Sequence, residues 1–282
     1  MSSPSRFAAL VVAPSLFALA LASGCGGESD SGSTASGSST STGAGAGPVA
    51  CEPTGGPEIA DLSGTYAYRE ITTLRVTVPG YADQVNTHII NTLLVQQTQT
   101  GADVTFDASY CDQVTDDADL PVHILIPDAF VATLKPFSRA GTFAAGAYHM
   151  PVAYHDEGVA LSEPATEALP TDPNDPRVLD EDADGKPGLT LQVTGLLDGE
   201  IYVVQRASTE LVGGAASEDA LEGEVLFSSE QVVLGSDPTS LKDLASSGVA
   251  DKTKCASSFR AVRIPEGSDC AYVLSNAATL FP

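Results

Sequence analysis

Apolar and polar residues alternate with period two along most of the chain beyond residue 60. Tyr66, Tyr68, Leu74, Val76 and Val78 fall on one parity of a first strand. Thr87 to Thr100 is apolar, then polar. In Asp103 to Cys111, Val104, Phe106 and Ala108 share one face. A short apolar run spans Pro121 to Pro127, and further strands are expected at 189–196, 199–211, 220–234, 257–264 and 270–275. Side chains of a strand point alternately to its two faces, so such a run buries one face and wets the other. Many such strands separated by turn residues predict an all-β fold, an antiparallel sandwich or barrel. Helix signals are few. Asp237-Pro238-Thr239 followed by Leu241, Leu244 and Gly248 carries a cap, a first-turn proline and a stop. Asp128 to Leu134 forms a second short candidate that ends before Pro136.

Two stretches break the pattern. Residues 26–50 are almost all Gly, Ser, Thr and Ala, with nothing to bury, and read as a disordered linker spanning roughly 25–30 Å. Between Tyr154 and Gly188 lies a proline-rich, acidic segment. A connection that long inside a domain is functional, disordered or a boundary. It divides the expected folded part, 51–282, into two candidate halves, 51–153 and 189–282.

The chain has 282 residues, with 13 Lys+Arg against 37 Asp+Glu and a formal charge of −24. That excludes a basic face for nucleic-acid phosphates and a polybasic hold on anionic lipid. Tryptophan is absent and aromatic residues make up 6%, so the core has to come from aliphatic side chains and a few rings.

The first residues read as an address. Arg6 supplies a positive start, an apolar run follows from Phe7 to Leu21, and the stretch closes on Leu21-Ala22-Ser23-Gly24-Cys25. This resembles the lipobox of bacterial lipoprotein precursors cleaved by signal peptidase II. One departure is that the large aliphatic residue, Leu21, stands one place further from the cysteine than usual. The resemblance implies a signal peptide over 1–24 and a lipidated Cys25 carrying palmitate-like acyl chains. It further implies a protein held on the cell envelope by that anchor. Gly26, where inner-membrane lipoproteins carry Asp, points to the outer membrane.

Asp180-Glu181-Asp182-Ala183-Asp184-Gly185-Lys186-Pro187-Gly188 has the spacing Asp-x-Asp-x-Asp-Gly. Calcium takes six to eight oxygen ligands, and alternate acids in a tight loop can aim three carboxylates at one ion. The pattern is similar to the loops of EF-hands, dockerins and thrombospondin type 3 repeats. That resemblance makes Asp180, Asp182, Asp184 and the Lys186 carbonyl the ligands of a structural calcium. Leu191 stands where an EF-hand has its bidentate Glu, so Asp175 or Asp172 of the preceding segment, or water, would complete the shell. A second acidic group, Asp112, Asp116, Asp117 and Asp119, matches no ion loop and reads as a solvated turn.

With Cys25 reserved for lipid, Cys51, Cys111, Cys255 and Cys270 remain, an even number in an exported chain. Three pairings are open. The local choice is Cys51–Cys111 with Cys255–Cys270. His149 and His155, six residues apart, are too far apart on a straight strand to share a metal; His88 and His123 read as surface or half-buried rings. There is no Gly-x-Ser-x-Gly elbow and no phosphate-binding glycine loop. The leading expectation is a non-catalytic binding or structural module on the envelope. A barrel would enclose a small apolar ligand, as calycin-type barrels do. Gly64-Thr65-Tyr66 opens the first strand in a way that resembles the lipocalin Gly-x-Trp start, with Tyr in place of Trp. The alternatives are an envelope hydrolase working through carboxylates or a bound metal, and an assembly partner for another envelope protein.

Overall fold

The structure is a computed structural model that describes residues 51, 59–78, 82–117, 120, 122–195, 198–242 and 248–282. The alternating runs become long strands: β1 (Gly64–Val78), β2 (Ala82–Thr100), β3 (Asp103–Asp116), β4 (Val122–Leu125), β5 (Phe137–Ala144) and β6 (Ala147–Glu157). After the acidic connector come β7 (Leu189–Gly195), β8 (Gly199–Ser217), β9 (Ala220–Asp237), β10 (Val249–Ala250) and β11 (Ser258–Ile264). Taken in chain order, β1, β2, β3, β5, β6, β8, β9 and β11 each pair antiparallel with the next, and β11 returns to β1. These eight strands close an up-and-down barrel in which each strand has a neighbour on both sides. β7 pairs with β8 beyond the end of β6, and β4 pairs with β7, so together they extend the wall at one end. Strands from before and after the acidic connector share this sheet, so 51–153 and 189–282 are not separate folded units. Among the described residues no helix is long and apolar enough to cross a membrane.

The inward parity of β1 carries Tyr66, Tyr68, Glu70, Thr72, Leu74 and Val76. Outward Ala67 is buried too, because the C-terminal helices α2 (Cys270–Ser275) and α3 (Ala277–Leu280) pack over it with Val273 and Phe281. The run 270–275, expected as a strand, is therefore a helix. Asp269 caps it by accepting the Tyr272 N–H at 2.9 Å. A six-residue apolar run fits either element, and here the cap decides. Of the helix expected near 237–245, the described residues show a 3₁₀ turn at Thr239–Leu241, and 243–245 lie outside them. The one at 128–134 is α1 (Asp128–Val131).

The disulfides are Cys51–Cys255 and Cys111–Cys270, with Cα atoms 5.5 and 5.1 Å apart, and this corrects the local pairing expected from sequence. The reason lies in β11. It runs between Cys255 and Cys270 as extended chain along the barrel, and at roughly 3.3 Å per residue it carries the two cysteines apart. Cys111 is the extra residue of a bulge, since Thr92 pairs with Asp112 and Leu93 with Tyr110. The bulge turns Cys111 outward to meet Cys270 at the start of α2. It also resets the parity of β3, so that Gln113 and Thr115 face inward after Tyr110.

The acidic connector is anchored at several points. Arg177 binds Asp175 and Glu167 at 2.8 and 2.7 Å, and Arg206 of β8 reaches the Pro164 and Glu167 carbonyls at 2.7 and 2.6 Å. Val159 and Leu169 pack with Val204 and Leu234 on the outer wall.

Candidate functional site

One half of the barrel is filled. Tyr68 stacks on Phe259 with centroids 5.4 Å apart and meets Phe106 edge-on at 5.4 Å, while Tyr148 leans on Phe259 at 5.9 Å. Two glycines, Gly213 of β8 and Gly223 of β9, pair directly under the Phe259 ring. A methyl group added at either would stand 2.7 Å from that ring, so the glycines make the space it occupies. The other half is hollow. Below the rings, side chains shorten to Leu, Ile and Thr and leave a cavity of about 220 Å³. Leu74, Ile89, Ile124, Leu191 and Ile201 form its apolar wall, and Phe130 of α1 and Leu241 of the 3₁₀ turn pack at its end.

A polar belt lines the cavity next to the ring layer. Glu70, Asn91 and Gln113 are register neighbours across β1, β2 and β3. Gln113 donates to the Asn91 carbonyl oxygen at 2.9 Å, and the Asn91 amide bonds the Glu70 carboxyl. On the opposite wall Glu157 of β6 is register partner to Gln205 of β8, which donates to its carboxylate. Glu70 and Glu157 are each 8% exposed, and Glu70 Oε1 has no partner among the described residues. Burial raises the Glu70 carboxyl, opposed by Arg139, and pushes Glu157 up to about 7. His155 lines the same space, edge-on to Phe137 at 5.0 Å, and burial drives its imidazole down to about 4. Arg139 of β5 donates to the Thr209 hydroxyl at 3.3 Å and to the Thr209 and Pro151 carbonyls at 2.8 and 2.9 Å, and its Nε is buried without a partner among the described residues.

Of the residues facing this space, His155 was weighed from the sequence with His149; the belt's carboxyls and amides were not. The signal existed. Glu70 has the parity of Tyr66, Tyr68 and Leu74, so a barrel places it inside, where a lone carboxylate is costly. The same holds for Glu157, once its strand is known to face the interior.

The Asp-x-Asp-x-Asp-Gly loop forms a tight turn, and the structure brings Asp180, Asp182 and Asp184 together with ligand oxygens within 4.8 Å of one another. Ala183 and Gly185 take positive φ, 57° and 83°. Asp180 accepts the Asp184 and Gly185 N–H groups, both at 3.0 Å. Asp184 accepts the Lys186 N–H at 2.7 Å and the Thr190 hydroxyl at 2.7 Å. Asp182 accepts the Thr190 N–H at 3.1 Å, while its Oδ1 is buried without a partner, and burial beside two like charges raises its carboxyl. Gly188, at φ 88°, ends the loop against β8, where a Cβ would stand 2.2 Å from the Val203 carbonyl oxygen.

The other expected residues are not drawn in. Asp175 is taken by Arg177, and Asp172 accepts from Asn174 at 2.9 Å. Asp117 accepts the Ile124 N–H at 2.7 Å and pairs with His123 at 2.9 Å, starting β4; Asp119 lies outside the described residues. His149 pairs with Glu210 at 2.8 Å, away from His155, and His88 bonds Thr73 at 2.9 Å. The signal peptide, Cys25 and the linker also lie outside the described residues. No protein-family model, curated protein or solved structure matches the chain.

Proposed function

We propose that the chain is a lipid-anchored protein of the bacterial cell envelope, on the outer membrane, whose barrel holds a small, largely apolar molecule without transforming it. The observation that carries this reading is the unfilled half of the barrel. A core built only for stability would be packed throughout at near-crystalline density. Here the same interior is dense with rings on one side and hollow on the other, with a polar belt at the border. Concave sites that bind small molecules have this make-up, an apolar wall with a few placed polar groups. Eight-stranded barrels are wide enough for one small ligand. The two disulfides agree with an oxidising compartment. The anchor rests on the lipobox-like segment ending at Cys25.

The test is titration of the full chain with N-phenylnaphthylamine, a neutral apolar fluorophore. Saturable binding is expected. Ala207→Phe, which places a ring in the cavity, should weaken it by about tenfold or more while far-UV circular dichroism is unchanged. Equal binding by the variant would place the dye elsewhere and remove the cavity from the function.

A hydrolase is the second reading. The Glu157 carboxyl, held near 7 inside a cavity that also holds Glu70, has the make-up of a general acid. Each carboxyl, however, is bonded to a neutral amide and not to a nucleophile.

The Asp180 loop is proposed to bind a structural calcium. Three carboxylates converge, and Asp182 Oδ1 is buried without a donor, which suits a cation and is costly otherwise. The ion would pin the connector to the start of β7 through Thr190. Millimolar Ca²⁺ should raise the melting temperature by several degrees relative to chelator, as a ligand bound only by the folded state must. The increment should vanish in Asp182→Ala/Asp184→Ala. Identical melts with calcium and chelator would reduce the loop to a hydrogen-bonded acidic turn.

A further inference from the structure

The wall of the cavity specifies what its occupant carries. Its apolar part, Leu74, Ile124, Leu191 and Ile201, accepts an aliphatic body. Its polar part is one-sided. Glu70, Glu157 and Asp117 reach the cavity, and among the described residues no Lys or Arg lines it. Asp117 is already held by His123 and the Ile124 N–H. Arg139, the nearest cation, does not line the cavity; it donates to the Thr209 hydroxyl and to the Thr209 and Pro151 carbonyls, its Nε is buried without a partner among the described residues, and burial keeps His155 neutral. Tyr110 faces the same space, its phenol pushed up by burial and by the nearby Glu157 and Glu70 carboxyls. Glu70 Oε1 is left without a donor among the described residues. Arg139 offsets one of the two buried carboxylates, and the other has no counter-charge.

An anionic head placed here would meet two carboxyls and, among the described residues, no lysine or arginine in the lining. A plain hydrocarbon would leave Glu70 Oε1 dry and unpaired. We propose that the cavity takes an amphipathic molecule bearing one cationic amine, its ammonium seated against Glu70 and Glu157 and its aliphatic body along the Leu74–Leu191 wall. This rests on the reading of the barrel as a binding module. At about 220 Å³ the space holds on the order of seven water-sized groups, which sets the scale at a short alkyl chain. An ammonium supplies three donors, and the unpartnered Glu70 Oε1 takes one of them. A charge-assisted bond to a buried carboxylate is about twice as strong as a neutral one. Seating the cation favours the ionised form of Glu157, so a proton leaves to solvent as the amine enters.

The experiment is isothermal titration of the full chain at pH 7 with octylamine, octanol and octanoate, three heads on one tail. Octylamine should bind at least about tenfold more tightly than the other two. In Glu70→Gln/Glu157→Gln that preference should disappear while octanol binding stays. Where the double variant does not fold, the wild-type chain alone decides. Octylamine titrated in phosphate and in Tris, whose ionisation heats differ, should show proton release, and octanol none. Octanol or octanoate binding as tightly as octylamine overturns the amine specificity and leaves the barrel a binder of apolar tails. A preference unchanged in a folded double variant, or amine binding without proton release, overturns it too. Failure of all three probes overturns the specificity and the binding reading together.

Discussion

Phe259→Ala is expected to lower stability by about 3–5 kcal/mol and to lengthen the cavity at the same time. Phe259 is 1% exposed, stacked on Tyr68, and is the register partner of Glu70 on β1 and Gly223 on β9. It therefore stands in the layer that separates the packed half of the barrel from the hollow one. Removing the ring leaves a void that Gly213 and Gly223 cannot fill, and the void opens onto the polar belt. Urea unfolding reads the first effect. The second is read with a longer amine: dodecylamine, too large for the native space, should bind the variant better than the wild type. Gly213→Ala separates the two effects. Its methyl group overpacks the Glu222 carbonyl oxygen and the same ring and should cost about 1–3 kcal/mol without enlarging anything. A Phe259 variant that loses stability yet binds dodecylamine no better would mean that the ring layer closes over the gap and does not border the cavity.

The all-β character was legible because period two persists over strands as long as β8 and β9, and no helix-period stretch competes with it. Closure into a ring was not legible. It depends on β11 finding β1 and on β8 pairing with both β6 and β9, and these are long-range choices that alternation does not encode. Local errors came where two elements share one composition. Cys-Ala-Tyr-Val-Leu-Ser is apolar enough for a strand, and the Asp269 cap together with a docking surface over Ala67 makes it a helix. The local pairing Cys255–Cys270 was chosen on nearness in sequence, and nearness in sequence is undone by the extended β11 between them.

The candidate site was legible in its exposed part and hidden in its buried part. The three aspartates of the loop are adjacent in sequence, so their convergence follows from spacing and from Gly185. The belt is assembled from β1, β2, β3, β6 and β8, one residue from each, and no local window contains two of its carboxyls. Only the parity of Glu70 within an apolar strand betrayed it, and parity acquires meaning once the sheet closes and one face becomes an interior.

Glu157→Gln and His155→Gln are expected to tilt the dependence of stability on pH in opposite directions. Glu157 rises in the folded state from an ordinary 4.5 to about 7. The folded protein then binds the proton more tightly than the unfolded chain. The stability this contributes is complete below about pH 4.5 and is lost as pH rises through 7. At about 1.4 kcal/mol per unit the loss approaches about 3 kcal/mol. His155 falls from 6.5 to about 4, so its contribution is complete above about pH 6.5 and is lost as pH falls through 4, again by about 3 kcal/mol. The two windows overlap between roughly pH 4.5 and 6.5, and there the two slopes oppose each other in the wild type. Glu70, raised by the same burial, adds to the Glu157 side. Replacing Glu157 with its neutral isostere, which keeps a bonding partner for Gln205, should leave stability near wild type at pH 4.5. It should add up to about 3 kcal/mol at pH 8. Replacing His155 should change little at pH 8 beyond a constant offset and should protect the protein as pH falls toward 4. Urea unfolding at several pH values across this range checks both. Wild type and both variants running parallel would mean that neither group is held dry. The belt would then be a wet channel, and the cavity's preference for a cation would lose its physical basis.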